Sequence, residues 1–322
     1  MYIFFRTHRI EEHKKQNTNV KLLTSKKMKK VTSIILILLS PILLLAQEAE
    51  KPDSTLGWHY KGNGTLSFSQ VSFSNWAAGG ENSVSLNSLA IASANYKSKN
   101  YIWDNNFILA YGLLKQGDKD FRKTTDKIEL TTKYGYRAVK NWYYSGLLSF
   151  MSQFAEGYDY DDDAGTKTLV SSFMAPAYVN IAIGMDYKPS KAFSLFIGPI
   201  SGRTTFVVDT TLSLKYGLDA GATSRSEFGG TVKAGINKDI VKNVNMASQL
   251  TLFSNYMENP QNIDVDWQIL FTMKINKFLS ANLNFQFIYD DDILITDKDG
   301  NTGPRLQMKE LFGLGLTYKI NP

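Results

Sequence analysis

Apolar and polar residues alternate with a period of two along most of the chain after residue 57. On 279–289, for example, Leu, Ala, Phe and Tyr occupy the odd positions, and Ser, Asn and Gln occupy most of the even ones. Alternation of this kind is typical of β-strands with two different faces. The pattern predicts twelve strands, at 59–73, 83–97, 101–115, 127–139, 142–154, 177–187, 192–200, 226–237, 244–256, 264–276, 278–290 and 305–320.

The connections between these segments alternate in length. Those near 98–100, 140–141, 188–191, 238–243 and 277 are short. Those at 74–82, 116–126, 155–176, 201–225, 257–263 and 291–304 are mostly longer and richer in Gly, Asp, Asn and Ser. Tight turns at one end and larger loops at the other are typical of an antiparallel up-and-down barrel with an even number of strands. We therefore predict an all-β transmembrane barrel of about twelve strands with periplasmic N- and C-termini.

A soluble sandwich or a lipocalin-like barrel would also alternate apolar and polar positions. Three features favour the outer membrane instead. The predicted strands are long enough to cross a bilayer when tilted. The polar face carries Lys, Arg, Glu and Asp, which a soluble core would not hold. Aromatic residues gather near strand ends, as membrane interfaces require; examples are Trp103, Trp142, Tyr187 and Tyr289.

The charge of +6 on the 322 residues is concentrated at the N-terminus. Residues 1–46 hold nine of the 36 basic residues and two of the 30 acidic ones, which leaves 27 basic and 28 acidic residues beyond Ala46. No basic excess remains that would favour nucleic-acid binding. Met28-Lys29-Lys30, an apolar stretch from Ile34 to Leu45 and Ala46 together predict a signal peptide. We expect 1–27 to be a spurious N-terminal extension, 28–46 a signal peptide, 47–56 a flexible leader and 57–322 the barrel.

Few residues suggest catalysis or cofactor binding. The chain has no cysteine, and only His59 remains beyond the predicted signal peptide. His59 opens the first strand, on the side predicted to be periplasmic, so it cannot activate a hydroxyl at the outer rim as lipid-cleaving barrels require. We predict no enzymatic activity and no cofactor.

Acidic residues cluster in two of the predicted loops, around 159–163 and 290–299. The first stretch departs from a calcium-binding loop, because Ala164 replaces the glycine and Val170 the final carboxylate. These segments are expected to be solvated surface loops, with weak Ca²⁺ or Mg²⁺ binding as the alternative.

The polar face of the predicted strands carries equal numbers of acidic and basic residues. Balanced charges predict internal ion pairs that fill the barrel, or a narrow pore without strong charge selectivity. The lumen-facing candidates are Asp104, Glu129, Lys133, Arg137, Asp186, Glu227, Lys233, Asp266, Lys274 and Lys309.

Several strings of residues resemble a known family. The most distinctive is Phe73-Ser74-Asn75-Trp76-Ala77-Ala78-Gly79-Gly80-Glu81-Asn82-Ser83. Further strings are 111–115 (YGLLK), 126–130 (DKIEL), 173–178 (FMAPAY) and 262–267 (NIDVDW). Together they resemble the uncharacterised Bacteroidota barrel family called domain-of-unknown-function family 3078. The resemblance implies an envelope barrel and implies no activity.

The leading hypothesis is a non-enzymatic outer-membrane barrel that acts as a structural or assembly partner or as a narrow channel. A small-solute porin for nucleosides, sugars or acidic sugars is the first alternative, and an outer-leaflet lipid enzyme is the second. The expected partners are outer-membrane lipid and the barrel-assembly machinery. Gly313, Leu316 and Tyr318 weakly match the signal that this machinery reads in a last strand.

Overall fold

The computed structural model describes residues 56–74, 80–296 and 300–320. The predicted extension, the signal peptide and nearly all of the predicted leader lie outside these residues, as does Trp76. Within the described residues there are sixteen strands and two short 3-10 helices, Thr210–Leu212 and Leu214–Tyr216. The strands are β1 Gly57–Val71, β2 Ser83–Lys97, β3 Tyr101–Gln116, β4 Arg122–Val139, β5 Trp142–Ser152, β6 Gly157–Asp161, β7 Thr166–Ser171, β8 Ala177–Tyr187, β9 Phe193–Phe206, β10 Ser224–Val241, β11 Val244–Asn255, β12 Asp264–Lys274, β13 Leu279–Tyr289, β14 Leu294–Thr296, β15 Thr302–Pro304 and β16 Gln307–Ile320.

Among the described residues, twelve antiparallel strands close into one barrel, which confirms the predicted fold class. Each of these strands pairs with its neighbours along the chain, and β1 pairs with β16 to close the sheet, with Thr65 opposite Thr317. The remaining strands form two hairpins, β6–β7 and β14–β15, within connections between barrel strands. No helix in the described part of the chain is long and apolar enough to cross a membrane.

The two ends of the barrel differ in their connections. Tight turns join β2 to β3, β4 to β5 and β10 to β11 at the end where β1 begins and β16 ends, here called the short-turn end. The opposite end, called the long-loop end, carries both extra hairpins and the segment 207–223. One predicted long connection is wrong, since β4 begins at Arg122 and leaves only 117–121 between β3 and β4.

The predicted end of the seventh segment at residue 200 is also wrong, because β9 continues to Phe206. Pro199 has no backbone N–H to donate to a ladder. The register between β8 and β9 shifts there, with Ile183 opposite Ile200 and Met185 opposite Ile197. Gly184 faces this bulge, and a Cβ atom at that position would lie 1.9 Å from the carbonyl oxygen of Ile197. The bulge therefore lets the strand continue past the proline.

The barrel exposes apolar side chains and buries charged ones. On β16, Leu316 is 64% exposed and Thr317 is 8% exposed; on β8, Ile183 is 62% exposed and Asp186 is fully buried. A soluble protein with such an exterior would aggregate, whereas lipid solvates it. Closure of the sheet also leaves no backbone edge exposed to lipid. The protein is therefore an outer-membrane β-barrel.

Aromatic side chains form a continuous cluster on the outer surface near the short-turn end. Trp58 lies 5.8 Å from Tyr60, 5.3 Å from Tyr96 and 5.7 Å from Trp103, measured between ring centroids. Tyr96 stacks on Tyr101 at 5.5 Å. Rings with polar tips prefer the boundary between lipid tails and headgroups, so this cluster anchors the barrel at one interface.

Candidate functional site: the barrel lumen

Near the short-turn end, the lumen holds a chain of alternating charges. Lys133 of β4 binds Asp186 of β8 at 2.7 Å. Lys188, in the turn after β8, binds Asp104 of β3 and lies 3.9 Å from the Asp186 carboxylate. Asp186 is therefore shared by two lysines, and the two acids and two bases neutralise one another.

Midway along the barrel, a second group of charges is held by glutamine side chains. Lys127 and Glu129, both on β4, form an ion pair at 2.5 Å. On the facing wall, Asp266 of β12 accepts hydrogen bonds from Gln268 at 3.1 Å and from Gln286 at 3.3 Å. Lys233 of β10 interacts electrostatically with both Glu129 and Asp266, and so links the two walls.

One hydrogen bond crosses the centre of the lumen. The Lys127 Nζ atom donates to Oε1 of Gln268 at 3.0 Å. In the closed strand order, β4 and β12 stand six places apart in a ring of twelve, so they are diametrically opposite. Direct contact between opposite walls leaves no open central channel at this level.

Near the long-loop end, Arg203 of β9 organises the third group. Its guanidinium binds Glu227 of β10 through two hydrogen bonds of 2.8 and 2.9 Å, and binds Asp264 of β12 at 2.6 Å. It also lies 4.0 Å from Asp290, just beyond β13, where burial raises the pKa of this carboxyl. A forked guanidinium suits this arrangement, because its donors reach several carboxylates at once.

Arg225 of β10 extends the third group toward the loops. It binds Asp292 at 3.0 Å and lies 3.4 Å from Glu227. It also donates to the carbonyl oxygen of Gly217 at 2.8 Å, which ties the 207–223 segment to the lumenal wall. We call the three groups of charges together the charged network.

The 207–223 segment packs against β7 and the connection between β7 and β8. Val207, Leu212 and Leu218 form a small buried cluster with Ala175. The Tyr216 hydroxyl donates to the carbonyl oxygen of Val170 at 2.7 Å. These contacts form a packed cap at the long-loop end, above the part of the wall that contains Arg225.

Seven of the ten charged candidates lie in the charged network, and Arg137, Lys274 and Lys309 do not. Arg137 has no acidic partner among the described residues; it lies 3.5 Å from the hydroxyl of Tyr143 and 5.8 Å from the centre of its ring. The balanced charges predicted internal ion pairs, but Arg137 forms none within the described part of the chain. Lys274 is exposed at the end of β12. Lys309 of β16 donates to Thr124 and Thr125 of β4 at 2.9 and 3.0 Å.

Several charged residues of the network were not among those candidates. Lys127 lies at the start of a predicted strand and shares the face of Glu129, so the alternation could have revealed it. The same holds for Asp264, which begins a predicted strand and shares the face of Asp266. Lys188 lies in a turn and Arg203 lies beyond the predicted end of its strand, so alternation gave no signal for them. Arg203 in particular fell in a segment predicted to be a loop.

The other side of the lumen contains a cavity whose lining residues are all uncharged, which we call the neutral cavity. Hydroxyl, amide and aliphatic groups make up its wall. The lining residues are Thr65, Ser67, Asn87, Ser88, Leu89, Ala110, Thr125, Leu270, Asn282, Asn284, Leu311 and Gly313.

Three buried hydroxyl groups lie together toward the short-turn end of the neutral cavity. Thr65 and Thr317 approach to 3.2 Å across the β1–β16 seam, and Ser280 of β13 makes a short hydrogen bond to Thr317. These contacts join the neighbouring strands β1, β16 and β13 along the lumenal wall.

Two amide atoms on this side of the barrel are buried without a hydrogen-bond partner among the described residues. They are Nδ2 of Asn282, which lines the neutral cavity, and Oδ1 of Asn63 on β1. A buried amide without a partner is costly, so such atoms indicate where water or a solute binds.

The described residues contain no group of three or more His, Cys, Asp or Glu side chains that could hold a metal ion. In the first acidic loop, Asp162 instead binds Lys119 at 2.8 Å and also pairs with Arg122. His59 lies in β1 near the short-turn end.

Part of the sequence matches a family model. Residues 68–158 match the family described as Protein of unknown function (DUF3078). The resemblance drawn from the sequence is confirmed over this stretch, which runs from β1 into β6. The similar strings at 173–178 and 262–267 lie outside the match. No match was found among the curated proteins.

Solved outer-membrane structures resemble this barrel weakly. The translocator domain of the autotransporter NalP from Neisseria meningitidis is 9% identical, with coverage of 90% of this chain and 97% of that one and a TM-score of 0.35. An outer-membrane channel from Pseudomonas putida F1 is 11% identical, with 84% and 99% coverage and a TM-score of 0.37. The Pseudomonas putida toluene transporter TodX is 8% identical, with 84% and 90% coverage and a TM-score of 0.29. The fold assignment therefore rests on the strand pairing itself.

Proposed function

We propose that this protein is a narrow outer-membrane channel of low ion conductance, in which solutes pass along one side of the lumen. The observation that carries the proposal is the hydrogen bond between Lys127 and Gln268 across the barrel. It divides the lumen into a charged network on one side and the neutral cavity on the other. Ions have no open central path, whereas the neutral side retains space.

The orientation follows the usual asymmetry of such barrels. Short turns face the periplasm in bacterial outer-membrane barrels, and long loops face the exterior. On this basis both described chain ends would be periplasmic. The cap formed by Ala175, Val207, Leu212 and Leu218 would then face the external medium.

The protein would have two partners under this proposal. Outer-membrane lipid would contact the exposed apolar side chains, which include Phe312 and Leu314 on β16. The barrel-assembly machinery would recognise this last strand during insertion, with Leu316 and Tyr318 both on its exposed face.

A closed structural barrel is the second candidate. The ion pair between Lys127 and Glu129 and the hydrogen bond between Lys127 and Gln268 favour it, because they fill the centre of the lumen. A structural barrel would need no solute route at all.

Reconstitution distinguishes the two candidates. Purified, refolded protein is inserted into planar bilayers for conductance and into liposomes for efflux of labelled small solutes. The channel proposal expects very low conductance together with efflux faster than from empty liposomes. A large ohmic conductance would replace it with a wide porin, and efflux equal to that of empty liposomes would replace it with the structural barrel.

A further inference from the structure

The neutral cavity has the chemistry of a binding site for hydroxyl groups. Ser67, Thr125 and Asn87 supply groups that donate as well as accept hydrogen bonds. A hydroxyl-rich molecule also both donates and accepts at each oxygen, so it matches such a wall without fixed charges.

The cavity also offers apolar surface beside these groups. Leu89, Leu270 and Leu311 lie among its lining residues. Sugars and polyols carry C–H groups next to their hydroxyls, and aliphatic side chains pack against those C–H groups. A wall of mixed hydroxyl, amide and leucine side chains therefore suits a polyol better than it suits a hydrocarbon.

Asn282 supplies a donor with no partner. Its Nδ2 atom is buried and donates to no acceptor among the described residues, although the residue lines the cavity. A solute hydroxyl at this point would satisfy the amide. Water would satisfy it between solutes.

Charged solutes fit the cavity poorly. All twelve lining residues are uncharged, so an ion that entered would lose hydration without gaining a counter-charge. Lys309 of β16, toward the long-loop end, already donates to Thr124 and Thr125. The wall therefore discriminates by charge as well as by size.

We infer that the neutral cavity binds and passes small, uncharged, polyhydroxylated solutes, with the Asn282 amide donating to a solute hydroxyl. The inference rests on the proposed channel function and names its substrate class. It also identifies Asn282 as a residue that determines which solutes pass.

The test compares two labelled solutes of nearly equal size, erythritol and the erythronate anion, in efflux from liposomes that contain the full protein. We expect erythritol to leave faster than erythronate. Asn282→Leu removes the donor and fills the space, so it should slow erythritol efflux roughly threefold to tenfold, the range expected from the loss of one hydrogen bond. Asn180→Leu is the matched control, because Asn180 lies on the far lumenal wall and binds Ser149.

A second variant covers the case in which Asn282→Leu does not fold. Asn282→Val removes the donor and introduces a β-branched side chain that suits a strand, so it should also slow erythritol efflux. Folding of each variant is checked by heat-modifiable gel migration.

The outcomes separate the inference from the proposed function. If both solutes leave at the same rate, or if the folded Asn282 variants match the wild type, the substrate class is wrong and the channel remains. If neither solute leaves faster than from empty liposomes, the channel proposal itself fails, and the inference fails with it.

Discussion

Lys127 of β4 and Gln268 of β12 meet at 3.0 Å across the full width of the barrel. The two residues are 141 positions apart in the chain, and their strands are diametrically opposite in the closed sheet. Their contact depends on a lumen narrow enough for two long side chains to span. It makes the centre of this barrel a packed polar core.

Removing either residue should open the centre of the lumen, but the two substitutions should lower thermal stability by different amounts. Gln268→Ala loses the crossing hydrogen bond and the hydrogen bond to Asp266, and it leaves Lys127 paired with Glu129. Lys127→Ala breaks the ion pair of the buried Glu129 and leaves this carboxylate with Lys233; breaking a buried pair costs about 3–5 kcal/mol. We therefore expect raised conductance in both variants and a marked loss of thermal stability only in Lys127→Ala. Equal conductance in wild type and both variants would show that this contact does not close the lumen.

Arg203 should be the most sensitive charged residue of the third group. Its removal takes the cation away from Asp264 and leaves Glu227 with Arg225, so Arg203→Ala should cost about 3–5 kcal/mol in the free energy of unfolding. Arg203→Lys should recover only part of this, because an ammonium cannot bind Glu227 through two parallel donors. Arg137→Ala is the control, since the Arg137 side chain contacts Tyr143 and has no acidic partner among the described residues. Thermal melts followed by circular dichroism in detergent measure all three, and equal losses would contradict the assignment.

The strands and their faces could be predicted because a period of two directly reports which side chains share a face. β2 and β8 have the predicted bounds, 83–97 and 177–187. The pattern failed near Pro199: the predicted strand ended at residue 200 and 201–225 was predicted as a connection, whereas β9 continues to Phe206. Arg203 follows the bulge, and for this reason it was not predicted as a lumen-facing residue.

The ion pairs of the lumen could not be predicted in detail. Alternation shows that Lys133 and Asp186 face inward, but their meeting depends on how the strands are staggered and tilted around the barrel. The same holds for Lys127 and Gln268. Lys127 pairs with Glu129 two positions along its own strand, whereas partners were expected on neighbouring or facing strands.

Asp162 makes the β6–β7 hairpin sensitive to acid. Arg122 and Lys119 hold the pKa of this carboxyl well below its usual range. A lowered pKa means that the stabilisation is complete above the ordinary aspartate pKa of 3.8 and is lost as the pH falls below it. We expect hydrogen-exchange protection of residues 157–171 to be constant from neutral pH to about pH 4 and to decrease at lower pH.

Asp162→Asn provides the comparison for this acid effect. It should reduce protection of the hairpin at neutral pH, and the difference from wild type should shrink as the pH falls. Because the pair is exposed, salt should weaken it too. A difference that stays constant with pH would mean that the contact with Arg122 and Lys119 does not hold the hairpin.

Arginine substitutions test which face of β12 contacts lipid. Phe271 alternates with the inward-facing residues of this strand and pairs across the sheet with Met246 and Leu283, so its ring lies in an apolar surrounding. Phe271→Arg should cost about 2–4 kcal/mol if the position lies near the middle of the bilayer. Phe285 is less suitable, because Glu310 is its partner on β16 and would offset the new charge.

The control is Thr272→Arg, one residue along on the lumenal face, which we expect to cost much less because its guanidinium stays among polar groups. Unfolding in urea from lipid vesicles measures both, and similar losses at the two positions would reverse the assignment of inner and outer faces.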